Sequence, residues 1–179
     1  MQAFDLVPEY HVLSSPVRKA FKMIGALPFV EPGSVVEFWD VLKANCPSDM
    51  DAFCDYFEYT WIGNSTRAPV FEKFLWNQYD TVLANLPRSN NMVEGWHNGF
   101  QSLVGTTNPT LWTFLSALKK EETLTFKKKV DWRMRRAPEP QKKKWRDHNS
   151  RLNALVEDFD IDTEPLDYLF CLGELLSSV

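Results

Sequence analysis

The chain has 179 residues, of which 44% are hydrophobic and 25% charged, with seven Trp and a formal net charge of −4. This composition is that of a soluble globular protein with enough length for one good core, or one core plus a long helical extension. No apolar run approaches the roughly 20 residues of a membrane span, so membrane-spanning classes are excluded and no membrane partner is expected.

The net charge conceals a partition. Residues 1–118 carry 7 basic and 12 acidic side chains, residues 119–151 carry 13 and 5, and residues 152–179 carry none and 7. A basic block between acidic ones can bind phosphate, bind the acidic segments of its own chain, or both. The start, Met1-Gln-Ala-Phe-Asp, has neither a basic head nor an apolar stretch, so no secretory signal is expected and the expected place is the nucleus or cytoplasm. Cys46, Cys54 and Cys171 show no C-x-x-C spacing and are expected as reduced, buried, small apolar side chains.

Taken in order, the first informative position is His11. Ser15, with Pro16 at the first helical position, then opens a helix over 16–27 with Val17, Ala20, Phe21, Ile24 and Leu27 on one face, ended by Pro28. Ser34 and Glu37 form a capping-box pattern for a helix over 35–46 bearing Val35, Phe38, Trp39 and Leu42. Ser48 is expected to cap the next helix, 49–60, whose Phe53, Tyr56, Phe57 and 59–61 run forms an aromatic core stripe. A loop over 63–69 and short helices at 71–76 and 79–85 follow.

The stretch around which the chain is organised is 86–105. Pro87 biases Leu86 away from helical dihedrals, Asn91 can serve as N-cap, and Glu94 three residues on completes a capping box. The helix that starts there has two faces. Val93, Trp96, Phe100, Leu103 and Val104 form an apolar stripe expected to be buried, whereas Glu94, His97, Asn98 and Gln101 form a polar one expected to be open. Gly95 and Gly99 each cost roughly 1 kcal/mol relative to alanine in a helix interior, which predicts a close approach of something to that backbone.

Asn108-Pro109 opens a long helix from Thr110 to about Arg136, with Leu111, Phe114, Leu115, Leu118, Leu124 and Phe126 on its inner side; Pro138 and Pro140 interrupt it. A helix from Gln141 to about Phe159 carrying Trp145, Leu152, Leu155, Val156 and Phe159, an acidic loop and a last helix at 166–177 complete the chain. Lys127, Lys128, Lys129, Arg133, Arg135 and Arg136, then Lys142, Lys143, Lys144 and Arg146, place cations on two successive helices beside Trp132 and Trp145. Such a pattern suits phosphate contacts with occasional stacking, or a solvated helical hairpin. No segment alternates as a strand. The expected fold is therefore all-α, about eight packed amphipathic helices, divided into a helical core at 1–118, a basic hairpin at 119–159 and an acidic C-terminal helix at 160–179.

Arg88-Ser-Asn-Asn-Met-Val-Glu-Gly-Trp-His-Asn-Gly-Phe, Asn108-Pro-Thr-Leu-Trp-Thr-Phe and Lys119-Lys-Glu-Glu, with Trp76-Asn-Gln-Tyr-Asp upstream, resemble the C-terminal part of Mutator-like element (MULE) transposases. The resemblance runs over most of the chain and is strongest across 87–122. It implies a ribonuclease-H-like family in which three acids, D-D-E, hold two divalent cations, Mg²⁺ or Mn²⁺, for strand cleavage and transfer in DNA transposition. By position Glu94 is the third acid, and capping remains its alternative role. The family's C-x-x-H motif aligns with Pro8-Glu-Tyr-His11, which keeps the histidine but not the cysteine and makes His11 a weak metal candidate. The first two acids lie upstream of that motif in the family, and Asp5 and Glu9 are too close to His11 to replace them. The chain is accordingly expected to be a fragment or remnant lacking the sheet, to bind no cofactor alone, and to be inactive alone as a nuclease. DNA and a second copy of the chain are its possible partners. The alternative reading is a non-catalytic nucleic-acid-binding or protein-interaction module derived from a transposase.

Overall fold

The computed structural model describes residues 4–64, 66–88, 91–134, 142–160 and 162–178, with Asn91 and Met92 described as backbone only. Among these residues the fold is all-α. The helices are α1 (Val7–His11), α2 (Pro16–Ile24), α3 (Val35–Ala44), α4 (Asp51–Phe57), α5 (Tyr79–Leu83), α6 (Asn91–Val104), α7 (Leu111–Arg133), α8 (Lys143–Glu157) and α9 (Pro165–Ser177). The extended pairing among the described residues is one isolated antiparallel bridge, Asn64 with Arg67. None of the described helices is long and apolar enough to cross a membrane.

Contacts divide the chain into two units, Met1–Leu86 with Lys144–Val179, and Pro87–Lys143. This differs from the expected division at 118 and 159. Charge suggested those boundaries, and burial joins residues across them. Leu152 and Val156 of α8 and Leu169 and Leu172 of α9 are fully buried in the same core as Leu27, Trp39 and Leu42.

In the first unit α9 lies along α2 and also touches α3. Gly173 makes the first of these approaches possible: a Cβ there would stand 2.9 Å from the carbonyl carbon and oxygen of Lys22. At the rim of the same contact Lys22 Nζ pairs with Glu174 at 2.7 Å. Aromatic rings join the remaining elements. Phe159, after α8, meets Phe38 of α3 at 5.7 Å, Tyr79 of α5 at 5.9 Å and Tyr168 of α9 at 5.2 Å between centroids. The Tyr168 hydroxyl donates to the Phe29 carbonyl at 3.0 Å, and burial raises its pKa. Asn153 of α8 donates to Asn85, whose φ of 51° turns the chain after α5.

Local signals were followed in part. Ser15 caps α2 through Val17 N at 3.2 Å, as expected, but α2 stops at Ile24 and Pro28 sits within a separate 3₁₀ turn, Leu27–Phe29. Ser34 makes no side-chain cap. The Glu31 carboxylate instead accepts from the backbone N–H groups of Gly33 and Ser34 at 2.9 and 3.1 Å, closing the turn one step earlier than the Ser34 and Glu37 pattern implied. Ser48 opens a 3₁₀ turn without a side-chain cap, and α4 passes into a π turn, Glu58–Ile62. That turn ends at Gly63, with φ 74°, where a Cβ would clash with Pro69 Cδ at 2.6 Å. The aromatic stripe is only partly core: Phe53, Phe57 and Trp61 are half-buried, and Tyr56 and Tyr59 are exposed. Cys54 is buried as expected, Cys46 half-buried and Cys171 exposed, because position 171 of α9 faces away from α2 and α3.

Candidate functional site

The second unit is built on α6 and α7. Thr110 starts α7 by accepting from Thr113 N at 3.2 Å, and Gly105, with φ 73°, ends α6. The two helices meet through a short aromatic ladder. Trp96 and Phe100, one turn apart on α6, stack at 5.3 Å with 4° between ring planes, and Phe100 meets Phe114 of α7 edge-on at 5.8 Å. Trp96 Nε1 donates to Glu121 Oε1 at 2.8 Å. Ala117, between Phe114 and Glu121 on the same side of α7, is buried.

Two expectations for α6 are corrected. Val93 and Trp96, expected to be buried, are 54% and 44% exposed, and Phe100 and Val104 are only half-buried. Among the described residues of its unit, α7 is the helix that covers α6, and one helix shields only part of an apolar stripe. Gly95 and Gly99 have no atom within 4 Å of the place a Cβ would occupy, so no close approach among the described residues explains them. The same shortage of partners leaves Leu111, Phe114, Leu115, Leu118, Leu124 and Phe126 of α7 exposed, against the expected inner face.

The polar row is open as expected. Glu94, His97, Asn98 and Gln101 are all exposed along α6, and the His97 ring lies edge-on to Trp96 at 5.0 Å. The expected N-cap partner of Glu94 is Asn91, whose side chain lies outside the described residues, as do Ser89 and Asn90. Arg88, half-buried just before them, has its pKa lowered by desolvation. His11 is exposed at the end of α1, in the other unit from Glu94. Among the described residues no group of three or more His, Cys, Asp or Glu converges as a metal centre would. Glu94 can lend one carboxylate to a hard cation, but two metals need carboxylates from several elements. The described residues therefore do not fit a two-metal centre.

The basic residues are exposed wherever they are described. Lys127, Lys128, Lys129 and Arg133 occupy the C-terminal half of α7 with Trp132, which is 77% exposed. Lys142 precedes α8, and Lys143, Lys144 and Arg146 form its first turn beside Trp145. Lys142 and Lys143 belong to the second unit, Lys144 and Arg146 to the first. Arg135 and Arg136 lie outside the described residues. The acidic C-terminal segment turns the apolar side of α9 into the first unit's core, with Glu174 on Lys22.

Glu121 was not among the residues expected to matter, yet it ties α6 to α7. Its sequence signal is faint: Ala117 and Glu121 are four apart and share one side of the helix with Phe114. No protein-family model, curated protein or solved structure matches the chain.

Proposed function

We propose that the chain is the helical C-terminal part of a Mutator-like element transposase, or a product derived from one, and that on its own it holds DNA without cutting it. Such a protein works in the nucleus or cytoplasm. The observation that carries it is the exposed row on α6. Glu94, His97, Asn98 and Gln101 present hydrogen-bonding and acidic groups directly after Arg88, at the position where the resembled family keeps its third acid. In an intact site that carboxylate would contribute one set of oxygens to the divalent cations of phosphoryl transfer. A lone carboxylate does not do this work, so binding is the activity left to the chain. The exposed cations at 127–129 and 133 on α7, beside an exposed Trp132, support it by offering phosphate contacts with a stacking surface.

Two measurements test the reading. Supercoiled plasmid incubated with the chain and Mn²⁺ is expected to stay intact; nicking that disappears in Glu94→Gln would show a competent active site and overturn the non-catalytic part. In gel shifts, binding to duplex DNA is expected to weaken steeply with salt and to fall when Lys127 and Lys128 are replaced by Glu. Binding that ignores both salt and these charges would remove the electrostatic mechanism. No binding at low salt would remove the DNA partner.

A further inference from the structure

We propose that the outward side of α7 pairs with the same side of α7 in a second copy of this chain, the two helices running antiparallel. This goes beyond DNA binding and does not depend on it.

One side of α7 is already used. Phe114, Ala117 and Glu121 face α6, through Phe100 and the Trp96 indole. At about 100° per residue, a row lying on average about 140° round the helix from that side carries Trp112, Leu115, Lys119, Glu122, Phe126 and Lys129. These six follow steps of 3, 4, 3, 4 and 3, the spacing of a coiled-coil seam. All six are exposed, Trp112 at 77% and Phe126 at 67%. Trp112, Leu115, Lys119 and Glu122 line an open groove of about 390 Å³. An exposed Trp and Phe on a seam-like row are costly to leave in water, and the pair of opposite charges between them says what covers the row.

The row is complementary to itself when reversed. A two-fold axis placed midway between Lys120 and Glu121 sets Lys119 opposite Glu122 of the second copy, and Glu122 opposite its Lys119. The same axis sets Leu115 against Phe126, and Trp112 against Lys129, where an ammonium can lie over the indole. Every position finds an apolar, oppositely charged or cation–π partner, and each pairing occurs twice, as an isologous dimer requires. A parallel pairing fails, because it would set Lys119 on Lys119 and Glu122 on Glu122. DNA fits the row poorly, since Glu122 stands at its centre and repels phosphate.

Sedimentation velocity of the full chain across micromolar concentrations, with charge-reversed variants, tests the proposal. The wild-type chain is expected to show a concentration-dependent monomer–dimer equilibrium. Lys119→Glu and Glu122→Lys each turn two attractive contacts into repulsive ones and are expected to weaken the dimer by about tenfold. An equimolar mixture of the two single variants restores complementarity and should regain the wild-type affinity, as should the double reversal. All of these positions are exposed, and unchanged circular dichroism spectra would show that the variants fold. A wild-type chain that stays monomeric overturns the proposal. So does a dimer indifferent to both reversals, which would mean that the two copies meet through another surface. A mixture that fails to recover overturns the antiparallel register.

Discussion

Substituting alanine for glycine should have opposite signs at two places in this chain. In a helix interior the change normally stabilises by about 1 kcal/mol, because alanine has less backbone freedom to lose on folding. At Gly173 the new methyl would stand 2.9 Å from the carbonyl carbon and oxygen of Lys22 and 3.1 Å from its Cβ. The first two atoms are helix backbone, not the movable end of a side chain, so α9 must draw away from α2. Overpacking of this kind costs about 1–3 kcal/mol, and it would also loosen the burial of Leu169 and Leu172, which are 0% exposed. Gly173→Ala is therefore expected to destabilise the first unit by up to about 2 kcal/mol after the helix gain is subtracted. Gly99→Ala has nothing within 4 Å to meet and should stabilise α6 by up to about 1 kcal/mol. Because the two sites lie in different units, one melting curve need not report both. Urea titration read by amide hydrogen exchange in α9 and in α6 follows each unit separately. A Gly173→Ala chain whose α9 amides are protected as well as or better than those of the wild type would refute the reasoning.

Three further outcomes are expected. Lys43 lies 2.7 Å from Glu58 and 2.8 Å from Asp55, and Trp39 Nε1 donates to Glu58 at 3.3 Å; the Lys43 hydrogen bond, followed by that of Trp39, lowers the Glu58 pKa against an opposing desolvation. A carboxyl lowered on folding stabilises the native state above its unfolded value, so this contribution should fade as pH falls below about 4.5, and Glu58→Gln should flatten the acid limb of a stability–pH curve. A limb unchanged by the substitution would deny the linkage. Tyr168→Phe removes a part-buried donor to the Phe29 carbonyl at 3.0 Å and should cost about 1 kcal/mol by denaturant titration; a neutral result would mean that water replaces the bond. Glu94→Gln should leave stability within about 0.5 kcal/mol of the wild type in thermal melts, as for an exposed acid kept for chemistry, whereas a clear loss would assign its charge a structural partner such as the helix dipole.

What could be read from residues alone was whatever is decided within a turn or two of chain. The Ser15 and Pro16 start of α2, the absence of strand among the described residues, the helix over 91–104 and its open row from Glu94 to Gln101 all follow from caps, prolines and hydrophobic spacing, which act between near neighbours. Even here a competing neighbour could win, as Glu31 does over Ser34, because two groups able to close one turn differ by little energy. Periodicity shows that a helix has an apolar side but not whether anything covers it. Trp96 was expected inside and stands 44% exposed, since among the described residues of its unit it has α7 to lean on, whereas Leu152, equally a member of an apolar row in its helix, is fully buried against distant elements. The return of α8 and α9 to the core begun by α2 and α3 was likewise decided by tertiary structure, because buried apolar area stabilises far more than exposed charges of one sign cost.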